Sequence, residues 1–226
     1  LEEHGVDVAG AYLDVFSVLP GDECFHENHK ITREQSVKYR GECFDYLNDK
    51  GFVMSSEEPG FHLINKLALV HHGPYSVRPQ ENGEAVGIPV PITSLVFHDC
   101  LIIPWGVANN WGVPKTDRPA MHCVLNAGMP YFNPFGKELF KIGSSMRTAD
   151  TVLLCEDELK AEIERVKRLC NIQAALYDKE MVKHEFKDGL RVQTATYSDG
   201  TKITVDFDKN KYSIEKDEKV ITEGSV

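Results

Sequence analysis

Asp14 stands in the middle of GAYLDVFSV, residues 10–18, where Tyr12, Leu13, Val15 and Phe16 would suit a buried strand. A carboxylate set among apolar side chains is costly unless something offsets its charge. A second acidic interruption, Glu57-Glu58, closes FVMSSEE, and His71-His72 closes KLALVHH. His98-Asp99 breaks into ITSLVFHDCLII. Acids and imidazoles therefore recur at the ends of successive apolar runs. Two carboxylates from neighbouring strands can cleave a glycosidic bond. One attacks the anomeric carbon or stabilises its charge, and the other protonates the leaving oxygen and then activates water. The pair here would be Asp14 with Glu57 or Glu58. The two glutamates face opposite sides if the strand runs through both, and Glu57 is preferred because Pro59 makes Glu58 the turn residue. Sugar rings stack their C–H faces on aromatic rings. Trp105 and Trp111, the two tryptophans of the chain, lie together in a Gly- and Asn-rich loop and are candidate platforms.

The elements that must position these groups follow from periodicity and punctuation. Residues 10–16 read as a buried strand ended by Pro20-Gly21. Thr32 is an N-cap with Gln35 at the capping-box position, Val37, Phe44 and Leu47 follow at helical spacing, and Gly51 stops the helix. FVMSSEE is a second strand, residues 67–70 a third, and ITSLVFHDCLII a fourth apolar, β-rich run. Residues 79–91 and 104–118 are loops. AMHCVLNAGMPYF is a short helix or strand with a Gly-Met-Pro turn. Residues 156–177 form a helix with Leu159, Ile163, Val166, Leu169 and Cys170 on one face. Beyond residue 178 the chain alternates apolar and polar residues between Asp-Gly and Asp-Lys-Asn turns, the pattern of antiparallel hairpins. Alternating strand and helix implies a parallel sheet, whose functional groups gather at the C-terminal strand ends. Asp14, Glu57, Glu58, His71, His72, His98 and Asp99 are all expected at that edge.

The bulk properties narrow the classes. The 226 residues carry a formal net charge of −10. An acidic chain without a basic cluster argues against nucleic acid or an anionic membrane as the main partner. The apolar runs are too short and interrupted for a transmembrane helix. The six cysteines form no CxxC pair, so a zinc ribbon or thioredoxin-type site is not expected. Cys100, Cys123 and Cys155 lie in apolar contexts and read as buried thiols, which favours a reducing compartment. The chain opens on LEEHGVD, the end of an amphipathic helix, as an N-terminally truncated fragment would.

GAYLDVFSV, GFVMSSEEP, LVHHGPY, IPVPITSLVFHDCLIIPWG and LNAGMPYF together resemble the C-terminal half of a (β/α)8 glycoside hydrolase catalytic domain. The group they resemble contains endo-α-N-acetylgalactosaminidases, α-N-acetylgalactosaminidases and bacterial relatives, and the P-I-x-x-L-V-F-H-D stretch carries most of the likeness. The resemblance implies a partial barrel over residues 1–178 and a β-sandwich-like domain over 179–226. It also implies a retaining glycosidase acting on an α-linked sugar of GalNAc or galactose type. Asp14 then matches the nucleophile and Glu57 the acid/base, with Glu58 as the fallback. Tyr12, His71, His72, His98, Asp99, Trp105 and Trp111 are expected to bind the carbohydrate substrate. No cofactor or metal is expected, and the isolated chain is expected to be inactive. The long insert PGDECFHENHKITRE and the double glutamate depart from the group's pattern, which leaves the sugar open.

Two other functions fit some of the same residues. A metal-dependent barrel hydrolase would use His71, His72, His98 and Asp99 as ligands. A carbohydrate-binding barrel without turnover would keep the cleft, although the presence of both carboxylates speaks against it.

Overall fold

The computed structural model describes residues 2–5, 7–58, 60–71, 90–105, 119–130, 132 and 154–226. The chain divides into two compact units. The first comprises Leu1–Gly73 with Cys100–Ile103, and the second Pro74–Asp99 with Pro104–Val226.

The first unit is a β–α–β–β arrangement. Strands β1 (Gly10–Leu13), β2 (Val53–Glu57) and β3 (Leu69–His71) form a parallel sheet in that order. A parallel bridge from Leu69 to Ile102 continues the sheet past β3. Helix α1 (Arg33–Asn48) connects β1 to β2. It starts where the sequence places it: the Gln35 N–H donates to Thr32 Oγ1 at 3.2 Å, and the Thr32 N–H donates back to Gln35 Oε1 at 2.9 Å. Such a cap contributes about 1 kcal/mol. Gly51, at φ +85°, ends the turn beyond the helix. One face of the sheet is closed: Met54, Ser56 and Val70 are fully buried, as is Phe44 of α1. Phe16 packs edge-on against Phe44 at 5.7 Å, and Arg40 lies over Phe16 while donating to the carbonyls of Leu19 and Pro20.

The fourth apolar run differs from expectation. Residues 92–97 form helix α2 (Ile92–Phe97), not a strand, with the His98 N–H bonded to Ser94 O. Ile92 and Val96 are exposed while Thr93 and Ser94 are buried. A continuous apolar run carries no periodicity to separate helix from strand, and tertiary placement overrode β propensity here.

The second unit holds α2, the short pair β4 (Pro104–Trp105) and β5 (Met129–Pro130), α3 (Pro119–Leu125) and α4 (Glu156–Leu176). Strands β6 (Met181–Lys187), β7 (Val192–Tyr197), β8 (Lys202–Asp206), β9 (Lys211–Lys216) and β10 (Lys219–Gly224) follow. They form one antiparallel meander in chain order; a second sheet facing it does not occur among the described residues. The expected turns hold it, with Gly200 and Asn210 at positive φ, and a further turn at Asp217-Glu218 also takes positive φ. α4 buries Leu169, Ile172 and Leu176, and leaves Cys170 exposed. Cys100 and Cys155 are likewise exposed, which corrects the expectation of buried thiols; Cys123 is buried. Among the described residues no helix is long and apolar enough to cross a membrane.

The β7–β8 turn carries a pH-dependent contact. Burial works to raise the Asp199 pKa, but the Lys216 ammonium at 2.8 Å and the Thr201 N–H at 3.0 Å outweigh it and hold the carboxyl at about 2. A carboxyl depressed in the folded state adds stability above its unfolded pKa and loses it as pH falls through the folded value. Asp199→Asn is therefore expected to lower stability at neutral pH and to flatten its acid dependence between about pH 4 and pH 2. Denaturant titration at both ends of that window checks this. An unchanged acid limb would count against the contact.

Candidate active site

The register of the parallel sheet brings the first candidates to one edge. Leu13 pairs with Ser56, Ser56 with Val70, and Glu57 with His71. Glu57 and His71 thus share one level at the C-terminal edge of β2 and β3, and Asp14 follows the last paired residue of β1 at the same edge; neighbouring strands lie about 4.8 Å apart. Residues at one level of parallel strands share a face, so Tyr12 and Ser55, one pleat below, lie on that side too.

Backbone geometry sets these strand ends apart. Val15 and Glu58, the residues directly after Asp14 and Glu57, both take left-handed conformations, at φ 57° and 54°. A β-branched residue there is a true outlier, and such strain, of order 1–3 kcal/mol, persists only where surrounding contacts enforce it. The contacts are present. The Ser17 hydroxyl meets the carbonyls of Glu57 and Glu58 at 3.0 Å each, and the Ser17 N–H donates to Ser56 Oγ at 3.2 Å. The Ser56 hydroxyl in turn donates to Leu13 O at 2.6 Å. The Glu58 N–H donates to His71 O at 2.7 Å. Ser17 and Ser56 are fully buried, so this network stitches the segment after Asp14 onto the end of β2 in a dry environment where its bonds are strong. Gly60 lies under it so closely that a Cβ there would fall 1.7 Å from Ser17 O.

The open face of the sheet carries the candidate residues. Asp14 is exposed, whereas Glu57 and His71 are half-buried. Tyr12, 44% exposed, donates from its hydroxyl to Asp14 Oδ1 at 3.0 Å and meets the His71 ring edge-on at 5.0 Å. The expectation of a buried strand over residues 10–16 is corrected here. β1 ends at Leu13, and its Tyr12 face is open to solvent. Asp14 interrupts the apolar run because the strand stops there. Glu58 is exposed and takes a left-handed conformation at φ 54°.

The other candidates are placed differently. His98 lies at the end of α2, not at a strand end, and is buried. Its Nδ1 is 2.7 Å from Lys179 O and its ring meets Tyr197 at 5.0 Å. Burial lowers its pKa, against the opposing pull of the Lys179, Asn126 and Ala127 carbonyls and of Asp99. Asp99 is exposed. Trp105 is buried to 1% exposure, its indole directly over Gly128, where a Cβ would lie 1.9 Å from the ring. His98 and Trp105 are packed side chains of the second unit. His72 and Trp111 lie outside the described residues. Among the described residues no three His, Cys, Asp or Glu side chains are grouped to hold a metal ion.

Sequence reasoning missed Ser17, Ser56 and Gly60. The signal for Ser56 was available: a serine two residues after Met54 shares the apolar face of β2, and a buried hydroxyl must find partners. Nothing local marks Ser17.

Comparison with known proteins places this geometry. No family model matches the chain, and no curated protein matches it. Solved structures do. The chain is 32% identical, with a TM-score of 0.74, to an α-N-acetylgalactosaminidase from Bifidobacterium bifidum, NagBb, in complex with GalNAc. It is 31% identical, at a TM-score of 0.75, to the same enzyme in complex with Gal-NHAc-DNJ. Each match covers 95% of this chain and 32% of the solved one. The chain thus spans about a third of the length of these structures. The likeness to α-N-acetylgalactosaminidases read from the sequence holds over nearly the whole chain, and the fold is that of part of a glycoside hydrolase: α/β, with a β-rich portion.

Proposed function

We propose that this chain is part of the (β/α)8 catalytic barrel of a retaining glycoside hydrolase acting on an α-linked sugar of GalNAc or galactose type. Asp14 is the nucleophile and Glu57 the acid/base. The observation that carries the reading is the gathering of Asp14, directly after β1, with the paired Glu57 and His71 at the C-terminal edge of a parallel sheet. Carboxylates at the ends of adjacent strands are compatible with the roughly 5–5.5 Å separation of the double-displacement route. The similarity to a GalNAc-binding α-N-acetylgalactosaminidase supports the sugar class. Parallel sheets are ordinarily covered on both faces. The exposure of Tyr12 and Val53 on one face, with α1 on the other, supports a barrel wall whose inner surface belongs to a larger assembly. Tyr12 and His71 are placed to line the sugar beside the carboxylates.

The test is hydrolysis of aryl α- and β-glycosides, GalNAc and galactose included, by the full-length natural protein, with the anomeric configuration of the first product read by NMR. Turnover of an α-GalNAc or α-galactoside with retention supports the proposal. Turnover with inversion, or of β-glycosides only, overturns it.

Glu58→Gln separates the two glutamates. Because Glu58 is exposed and left-handed, beyond the paired end of β2, the variant is expected to keep kcat/KM within about threefold of wild type, a difference of well under 1 kcal/mol. A collapse in Glu58→Gln with Glu57→Gln active would reverse the assignment.

A further inference from the structure

We propose that Tyr12 is a positioning residue that holds the Asp14 carboxylate by its Oδ1 and thereby assigns Oδ2 as the oxygen that bonds to the sugar. This rests on the reading of Asp14 as nucleophile and specifies how that residue works. The Tyr12 hydroxyl donates to Asp14 Oδ1 at 3.0 Å. Tyr12 and Asp14 are two residues apart and so project to the same side of the sheet. The phenol ring is itself fixed by the edge-on contact with His71, from the strand two places away. The left-handed turn at Val15 prevents Asp14 from following the strand onward. The carboxylate is therefore held on one oxygen from its own strand, while its other oxygen remains for the anomeric carbon.

The consequence differs between the two chemical steps. In the first, Asp14 Oδ2 attacks the anomeric carbon, the glycosidic C–O bond breaks, and the leaving oxygen takes the Glu57 proton. In the second, water attacks the anomeric carbon, Glu57 takes the water proton, and the sugar–Oδ2 bond breaks with its electron pair returning to the Asp14 carboxylate. A hydrogen bond to Oδ1 stabilises the charge that returns in this second step. In the first step it makes the attacking carboxylate less nucleophilic. Loss of the Tyr12 hydroxyl should therefore slow deglycosylation specifically.

The experiment compares wild type, Tyr12→Phe and Asp14→Asn in the full-length natural protein, using the activated aryl glycoside that wild type turns over. Tyr12→Phe is expected to lower kcat by about 10- to 100-fold and to lower KM with it, as accumulation of an intermediate requires. A burst of aryl alcohol close to one equivalent should appear, and mass spectrometry should find the sugar ester on the peptide containing Asp14. The slow phase divided by the burst amplitude is a rate constant per active site, so partial misfolding lowers both together and leaves their ratio unchanged. A Tyr12→Phe enzyme with unchanged kcat, or with kcat lowered at constant KM and no burst, overturns the proposal. Full activity in Asp14→Asn would instead overturn the nucleophile assignment, which separates the two failures.

Discussion

Asp14→Asn and Glu57→Gln are expected to abolish turnover in the full-length protein by different signatures. Under the proposed roles, removing Asp14 eliminates the covalent route, and kcat/KM should fall by about 10⁴-fold or more for every substrate. Removing the acid/base costs about 10²–10⁴-fold, and less with a substrate whose leaving group needs no protonation. The loss in Glu57→Gln should therefore shrink as the aryl leaving group becomes more acidic, whereas that in Asp14→Asn should not. Azide should restore turnover to Glu57→Ala, because a small anion can open the covalent intermediate without a base, and the glycosyl azide should keep the α configuration. A leaving-group dependence found in the Asp14 variant and absent from the Glu57 variants would exchange the two roles. The expectation rests on the adjacent strand ends at which the two residues stand, since a shift of one register position would put the carboxylates on opposite faces of the sheet.

Gly60→Ala should be the most damaging single-methyl change in the first unit. Its Cβ would fall 1.7 Å from the Ser17 carbonyl oxygen and 2.6 Å from the carbonyl carbon, both backbone atoms that cannot rotate away. The Ser17 segment must move, and with it the hydroxyl bonds to Glu57 O and Glu58 O. Overpacking of this kind costs typically 1–3 kcal/mol, and buried hydrogen bonds left unmade add about 1–3 kcal/mol. Gly51→Ala is the control. Its backbone is left-handed at φ +85°, but nothing lies within 4 Å of the added carbon, so only the conformational cost of about 1–2 kcal/mol applies. Thermal unfolding should rank Gly60→Ala well below Gly51→Ala, and Gly60→Ala should lose kcat even at temperatures where it is folded. Equal melting temperatures and wild-type kcat for both variants would mean that the Ser17 clamp does not set the site.

Much of this was legible in the chain itself, for local reasons. Thr32 and Gln35 bond to each other's backbone within one turn, so the helix start needs no distant partner. The Asp-Gly and Asp-Lys-Asn turns of the tail carry their own backbone preferences, and the meander appears where they place it. The acidic and imidazole residues at strand ends were visible because each interrupts an apolar run. ITSLVFHDCLII was misread for the opposite reason: helix and strand both suit twelve largely apolar residues, and the choice fell to what packs around them. Trp105 and His98 were read as ligand-facing from residue type, whereas burial depends on neighbours far along the chain, Gly128 for one and Lys179 and Tyr197 for the other.

The sequence by itself determined which groups are available for chemistry and that Asp14, Glu57 and His71 fall at the ends of successive strands, because strand length, turn chemistry and capping are decided within a few residues. Only the tertiary structure decided that Glu57 pairs with His71 beside the end of β1, that Glu58 takes a left-handed, exposed conformation, and that Ser17 and Ser56 lock the two strand ends together. Those outcomes depend on register between strands some forty residues apart and on left-handed residues that distant hydrogen bonds hold in place, and pairing of that range leaves no periodic trace in the chain.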